Sequence, residues 1–206
     1  LIAEELEPTS APTYGSCGTC TACLDACPTD ALLQPGVLDS ARCISYQTIE
    51  NKGPIPPEMH ESIGEWVFGC DICSEVCPWG NDAPDLSERF GLHDALTNRP
   101  LITWLEDPVP FKERYQGSPL QRPKRAGLAR NAAIVLGNIG DSSSQGVLLR
   151  ALSFDPDALV REAAGRSLAR AFGEDVETQR ALEEASNAEQ DARVQGELRA
   201  ARELCD

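Results

Sequence analysis

Cys17-Gly18-Thr19-Cys20-Thr21-Ala22-Cys23-Leu24-Asp25-Ala26-Cys27-Pro28 is the stretch that decides the first half of the fold. Its spacing, C-x2-C-x2-C-x3-C followed by proline, is that of a bacterial [4Fe–4S] run, in which the fourth cysteine ligates the other cluster when two are present. Three thiolates must converge on one face of a small cube, so the chain has to loop tightly around it. Gly18 and the small residues Thr19, Thr21 and Ala22 let the backbone come close and offer N–H groups to the sulfurs. Cys27 is then expected to open a helix directed towards a second site.

That second site has its own residues. Cys70-Asp71-Ile72-Cys73-Ser74-Glu75-Val76-Cys77-Pro78 repeats the C-x2-C and x3-C-P spacings but lacks one cysteine, and the isolated Cys43 restores the count. The cross-over rule assigns Cys17, Cys20, Cys23 and Cys77 to cluster one. It assigns Cys27, Cys43, Cys70 and Cys73 to cluster two. Three other readings compete. A disulfide framework needs an oxidising compartment and pairs such triplets poorly. Two four-cysteine zinc sites would not explain the x3-C-P run. A single cluster with a vestigial second half is the third. Cys205 reads as a spare thiol. His60 and His93 lack neighbouring ligand spacing and are expected to be exposed rather than ligating. The chain contains no Ser/His/Asp set, P-loop or GxGxxG.

Composition fits a chain that does not rely on aromatic packing. Aromatics make up 5% of 206 residues, beside 9 Cys, 16 Gly and 15 Pro. Metal in one part and Ala/Leu helix packing in another are the expected sources of stability. No run approaches the roughly 18 apolar residues of a membrane span, and Leu1 to Leu6 lack the pattern of a signal peptide. A cytoplasmic location, where thiols stay reduced, is the expectation. Because the chain starts at Leu1 rather than Met, it is expected to be processed, trimmed or incomplete.

The net charge of −15 is unevenly spread. Residues 1–107 carry 4 Lys/Arg against 18 Asp/Glu, residues 108–173 carry 10 against 5, and residues 174–206 carry 4 against 10. A basic island between acidic flanks is either a polyanion footprint or ordinary scatter on a helical surface.

From about residue 101 the texture becomes helical. Leu101 to Leu105 suggests a short helix, and a linking segment from Phe111 ends at Gly117-Ser118-Pro119. Pro123 stands where a first helical turn accepts proline, and Gly137 and Gly140 can end the helix that follows. Leu128, Ala132, Val135 and Leu136 form its apolar stripe. Leu128-x-Arg130-x-Ala132-Ala133 recurs 31 positions on as Leu159-x-Arg161-x-Ala163-Ala164. The second helix starts at Pro156 and closes at Phe172-Gly173, with Gln145–Leu152 as antiparallel partner. A weaker copy runs through Val176–Ala185 and Asp191–Leu204. Helix pairs at a period near thirty read as HEAT-like repeats, the alternative being a plain helical cap on the cluster module.

The two halves together resemble the C-terminal part of epoxyqueuosine reductase, a cobalamin-dependent iron–sulfur enzyme family of tRNA maturation. Cys17 to Thr29, Leu38-Asp39-x-x-Arg42-Cys43-Ile44-Ser45-Tyr46-x-Thr48-Ile49-Glu50, Gly53-Pro54-Ile55-Pro56 and Gly69-Cys70-Asp71-x-Cys73-x-x-Val76-Cys77-Pro78-Trp79 carry the likeness. Gly117-Ser118-Pro119-Leu120 and Arg130-Asn131-Ala132-Ala133 extend it. The resemblance implies reduction of the tRNA epoxide to queuosine by cobalamin, fed by two [4Fe–4S] clusters and an external donor such as a flavodoxin or ferredoxin. It also implies a cobalamin domain with the acidic proton donor ahead of the first cluster motif. Only sixteen residues stand there, so the catalytic acid and most of the corrin pocket are expected in a missing domain. Gln47 departs from the family, where an apolar residue is usual, and Gly80-Asn81 adds a residue after Trp79.

The expectation is therefore an α+β, two-cluster bacterial-ferredoxin-like module over 1–90, a helical linker over 91–122, and an all-α HEAT-like array over 123–206. Ser45, Tyr46, Thr48, Glu50 and Asp71, beside Cys43 and Cys70, are expected to face cobalamin. Arg122, Lys124, Arg125, Arg130 and Arg161 are expected to contact the phosphates of the tRNA anticodon stem-loop. A monomer without membrane contact is expected. Two rivals remain: a stand-alone ferredoxin-type carrier docking a redox protein, and a fragment of a reductive-dehalogenase-like corrinoid enzyme.

Overall fold

A computed structural model describes residues 17–80, 100–106 and 109–205. Its first half is built from short pieces. Helix α1 (Ala22–Ala26) is followed by a hairpin of β1 (Leu32–Gln34) and β2 (Val37–Leu38), then α2 (Ile44–Ile49) and α3 (Ile72–Glu75). The strands pair antiparallel, Leu32 opposite Leu38 and Gln34 opposite Val37. Helix α1 packs on α3, which draws the two cysteine-bearing loops together. Among the described residues of this half, only Ala31, Ile44, Ile55, Met59 and Ile63 are buried apolar side chains. So small a set buries too little surface to stabilise a fold of this size unaided.

The second half is a stack of longer helices. After a 3-10 turn at Leu101–Trp104 and α4 (Phe111–Arg114) come α5 (Lys124–Ile139), α6 (Ser142–Phe154), α7 (Ala158–Phe172), α8 (Val176–Ala188) and α9 (Ala192–Arg202). Asp141, Asp157, Asp175 and Asp191 each cap the helix that follows, their carboxylates accepting backbone N–H groups of the first turn. Gly140 ends α5 in the left-handed conformation (φ +65°) that glycine adopts without penalty.

The spacing of the array corrects the sequence reading. Helices α5, α7 and α9 start at 124, 158 and 192, and α6 and α8 at 142 and 176, so the structural step is 34 residues rather than 31. The 31-residue match falls three residues short of that step, close to the 3.6 residues of one helical turn. It therefore places like residues on nearly the same helix face, one turn out of register. The true equivalents are buried pairs such as Ser144 and Thr178, Leu148 and Leu182, and Val160 and Val194.

Gly137 was also expected at a helix end, and it lies inside α5 instead. There α5 crosses α7 so closely that a Cβ on Gly137 would sit 2.5 Å from the Cβ of Ser167. The core does not stop at the boundary between halves. Ile44, Ile55, Met59 and Ile63 belong to the same apolar cluster as Ile134, Val135, Leu148, Leu168, Leu182 and Leu198. Among the described residues no helix is long and apolar enough to cross a membrane.

Candidate iron–sulfur centres and their cationic border

All nine cysteines carry free thiols, with none in a disulfide. Cys27 closes α1 as its C-cap rather than opening a helix, because the chain turns to extended backbone there (φ −70°, ψ 114°). That turn folds the following backbone over the sulfur. The Ala31 N–H donates to Cys27 Sγ at 3.3 Å, and the Thr29 hydroxyl lies 3.6 Å from it. Burial alone would raise the Cys27 thiol, but hydrogen bonds from Thr29, Ala31 and Leu32 outweigh it and hold the pKa below its ordinary value.

Cys43 precedes α2 as its N-cap, Cys70 stands just ahead of α3, and Cys73 lies within α3. The elements are linked: α1 packs on α3, and the Gly69 N–H beside Cys70 bonds the Thr48 hydroxyl of α2, while burial, the largest cause, raises the Cys70 thiol. The elements that carry the four residues expected to hold cluster two are thus joined to one another by packing and a hydrogen bond. On the cluster-one side, Cys17 and Cys20 share a tight turn closed by the Cys20 N–H to Cys17 C=O bond at 3.1 Å. Cys17 and Cys20 are exposed, whereas Cys23 and Cys77 are half-buried beside the α1–α3 contact.

The donor set suits a four-iron core. Tetrahedral zinc draws its four sulfurs to about 2.3 Å from a single centre, whereas a cubane gives each thiolate its own iron. Reduced thiols from separate loops, with N–H donors on a ligand sulfur, match what a [4Fe–4S] centre requires.

The residues expected to face cobalamin divide. Tyr46 and Asp71 are exposed and Ser45 is half-buried, so all three can meet a ligand. Glu50 is occupied by an ion pair with Arg122. Thr48 cannot reach a corrin: it is fully buried, and its hydroxyl donates to Ile44 C=O at 2.8 Å and accepts the Gly69 N–H at 2.9 Å.

The basic residues divide in the same way. Arg122 and Lys124 are exposed. Arg130, expected on the phosphate face, is 1% exposed, and its five N–H groups all find acceptors: the carbonyls of Gln47, Asn51 and Gly53, and twice the Asn131 side-chain oxygen. No donor is left for a phosphate. Burial pushes its pKa down to about 10, so it stays cationic at neutral pH. Arg161 is likewise turned inward, bonded through both arms to Glu189 and to the Asp155 carbonyl at 2.8 Å. Arg125 is half-buried against Asp155.

Sequence reasoning passed over Lys52. It is exposed and bonds the carbonyls of Ile49 and Arg122. Its pKa is lowered by partial burial and by the nearby charges of Lys124, Arg122 and Arg130, with Glu50 opposing. Lys52, Arg122 and Lys124 thus form a cationic border where the cluster module meets α5. Lys124 has a left-handed backbone (φ +62°), an unfavourable state for a residue with a Cβ. His60 was expected to be exposed. It is 5% exposed, with Nε2 bonded to Ile55 C=O at 3.0 Å, and burial pushes its pKa down to about 4. His93 lies outside the described residues. Gln47, the polar departure from the family, is fully used: it donates to Ala41 C=O and accepts from Asn51, both at 2.5 Å.

These features define a class, an iron–sulfur protein with appended helical repeats. A 4Fe-4S double cluster binding domain matches residues 16–80, and HEAT repeats match residues 120–202. Within that class the chain is homologous to one part of the epoxyqueuosine reductases, which are oxidoreductases. The Xanthomonas campestris epoxyqueuosine reductase is 42% identical over 168 residues, 79% of this chain and 46% of the relative. That of Cellulophaga algicola is 48% identical over 123 residues, 58% of this chain and 40% of the relative. A crystal structure of epoxyqueuosine reductase with an epoxyqueuosine-modified tRNA-Tyr stem loop superposes with a TM-score of 0.85 at 31% identity, covering 97% of this chain and 52% of that one. The chain spans just under half the length of the curated relatives it matches.

Proposed function

We propose that this chain is the electron-transfer and tRNA-docking part of an epoxyqueuosine reductase, acting with cobalamin and an external electron donor on the epoxide of epoxyqueuosine in tRNA. The observation that carries the reading is that the elements bearing the expected ligands are held together: α1, capped by Cys27, packs on α3, which contains Cys73, and Gly69, next to Cys70, bonds Thr48 of α2, the helix Cys43 opens. The bound clusters supply single-electron storage and transfer. Around them the protein holds the thiolates, shields them partly from water, and directs the Ala31 N–H at Cys27. Such hydrogen bonds to sulfur tune the potential at which a cluster accepts an electron. Ser45, Tyr46 and Asp71 border cluster two and are free to meet a corrin edge.

The RNA footprint is the cationic border of Lys52, Arg122 and Lys124 rather than the buried Arg130 or the half-buried Arg125 and Arg161, which are paired with Asp155 and Glu189. Phosphate contacts of this kind recognise charge and shape and weaken with salt. The test is titration of an epoxyqueuosine-containing anticodon stem-loop against the cluster-loaded chain at two salt concentrations. Lys52→Glu and Lys124→Glu should each weaken binding about tenfold and flatten the salt slope. An affinity too weak to measure at low salt, or one indifferent to both substitutions, contradicts the docking role.

A further inference from the structure

Helix α2 is six residues long, Ile44–Ile49, and Cys43 stands directly at its start. The last carbonyls of a helix have no partner within it, and in so short a helix they are a large share of the whole. Here α5 supplies the partners. Arg130 donates to Gln47 C=O at 2.7 Å, and Asn131 donates to Thr48 C=O at 2.8 Å. Arg130 also grips the Asn51 and Gly53 carbonyls just beyond α2. The second donor of the Asn131 amide reaches Val67 C=O at 2.8 Å, so one buried side chain ties α2 to the loop that leads into Cys70.

A second tie runs parallel to the first. The Thr48 hydroxyl accepts the Gly69 N–H at 2.9 Å, one residue before Cys70. Gly69 has φ +78°, a conformation that lets the chain turn sharply into the ligand and that a residue with a Cβ rarely adopts. Cys43 and Cys70 therefore reach cluster two from two elements whose relative placement is set by Thr48 and by two residues of the first long helix of the array. Arg130 and Asn131 are 0–1% exposed, and their side-chain hydrogen bonds run to backbone carbonyls and to each other.

We propose that Arg130, Asn131 and Thr48 are positioning residues for cluster two: the helical array, through α5, holds Cys43 and Cys70 at the separation the cluster needs. This rests on the assignment of Cys27, Cys43, Cys70 and Cys73 to one cluster. Cluster one draws on none of these three side chains, so the two clusters should respond differently when the ties are cut. A role in general folding would affect both alike.

The experiment compares the cluster-loaded chain with Thr48→Val, Thr48→Ser, Asn131→Ala and Arg130→Lys by iron content, electron paramagnetic resonance on stepwise reduction, and circular dichroism. Two intact clusters give about eight irons per chain; a wild-type chain that does not reach this value refutes the cluster assignment itself. Thr48→Val keeps the side-chain volume but removes the acceptor for Gly69. It should shift or abolish the signal of one cluster, with iron falling towards about four per chain, while the other signal and the helical spectrum stay. Thr48→Ser restores the hydroxyl and should restore the wild-type spectrum. Arg130→Lys should resemble Thr48→Val, because an ammonium cannot reproduce the planar fork that serves several carbonyls at once. Asn131→Ala should show the strongest selective loss. If Thr48→Val leaves both signals and their reduction midpoints unchanged, or removes both together, the proposal is overturned, whatever the fate of Asn131→Ala.

Discussion

The two halves of the molecule use opposite means of staying folded. Residues 17–80 bury five apolar side chains, one of them an alanine, and spend much of their length in turns and helices of four to six residues. The array from Lys124 onward stacks helices of 11 to 16 residues whose buried positions are mostly Ala, Leu and Val, with a minority of buried polar side chains such as Arg130, Asn131 and Thr178. The first half is organised around thiolates and polar clamps, the second around close apolar packing. Where they meet, the clamps Arg130, Asn131 and Asn138 all come from the array and all grip backbone carbonyls of the cluster half. The two halves are thus joined by polar clamps from the array as well as by a shared apolar cluster.

The largest expected break of this contrast is removal of the metal. Stripping the clusters should unfold much of residues 17–80, since metal-binding energy is folding energy in such domains. The array should keep its helices. Hydrogen exchange resolved along the chain would show protection lost in the first half and retained in α5 to α9. Equal loss in both halves would mean that the array does not stand by itself.

His60 sharpens the same border. It is neutral and buried in the folded state, with its pKa pushed down to about 4 by burial and by the charges of Arg170, Arg166 and Arg130. The unfolded chain, with an ordinary histidine near 6.5, binds the proton more readily. Stability is therefore complete above about pH 6.5 and falls as the pH drops towards 4, where the loss levels off, a total of about 3 kcal/mol. His60→Gln should flatten that part of the unfolding profile relative to wild type. An unchanged slope between these pH values would show that His60 is accessible to protons without unfolding.

Within the array, Gly137→Ala tests packing alone. The added methyl would meet Ser167 on α7, including its backbone Cα at 2.9 Å, so the helices must part. Overpacking of this kind costs about 1–3 kcal/mol, read as a lower unfolding midpoint with cluster content unchanged. A stabilised variant would mean that α5 and α7 separate easily. The exposed pair Arg180–Glu184, at 3.9 Å, marks the lower limit: Arg180→Ala should change stability by no more than about 0.5 kcal/mol.

Much of this is legible in the amino-acid sequence. The cysteine spacing points to the centres because thiolate ligation constrains sequence distance directly. The helices of the array are legible because their Leu and Ala positions follow the helical period. Other features depend on contacts between residues far apart in the chain. Arg130 looks like a surface cation in sequence, and only the carbonyls of Gln47, Asn51 and Gly53, some eighty positions earlier, turn it into a clamp. Thr48 was misread for the same reason, its partner being Gly69. Lys52 escaped notice because it stands alone in an acidic stretch and gains cationic neighbours only when α5 folds against it. The repeat length was missed by three residues because a shift of almost one turn preserves the apparent pattern.

The most direct test of the central claim is elemental analysis of the anaerobically purified chain together with a reductive titration. Two clusters on eight cysteines predict about eight irons and eight acid-labile sulfides per chain, with two paramagnetic centres on reduction. Stoichiometric zinc, or about four irons with a single centre, would contradict it.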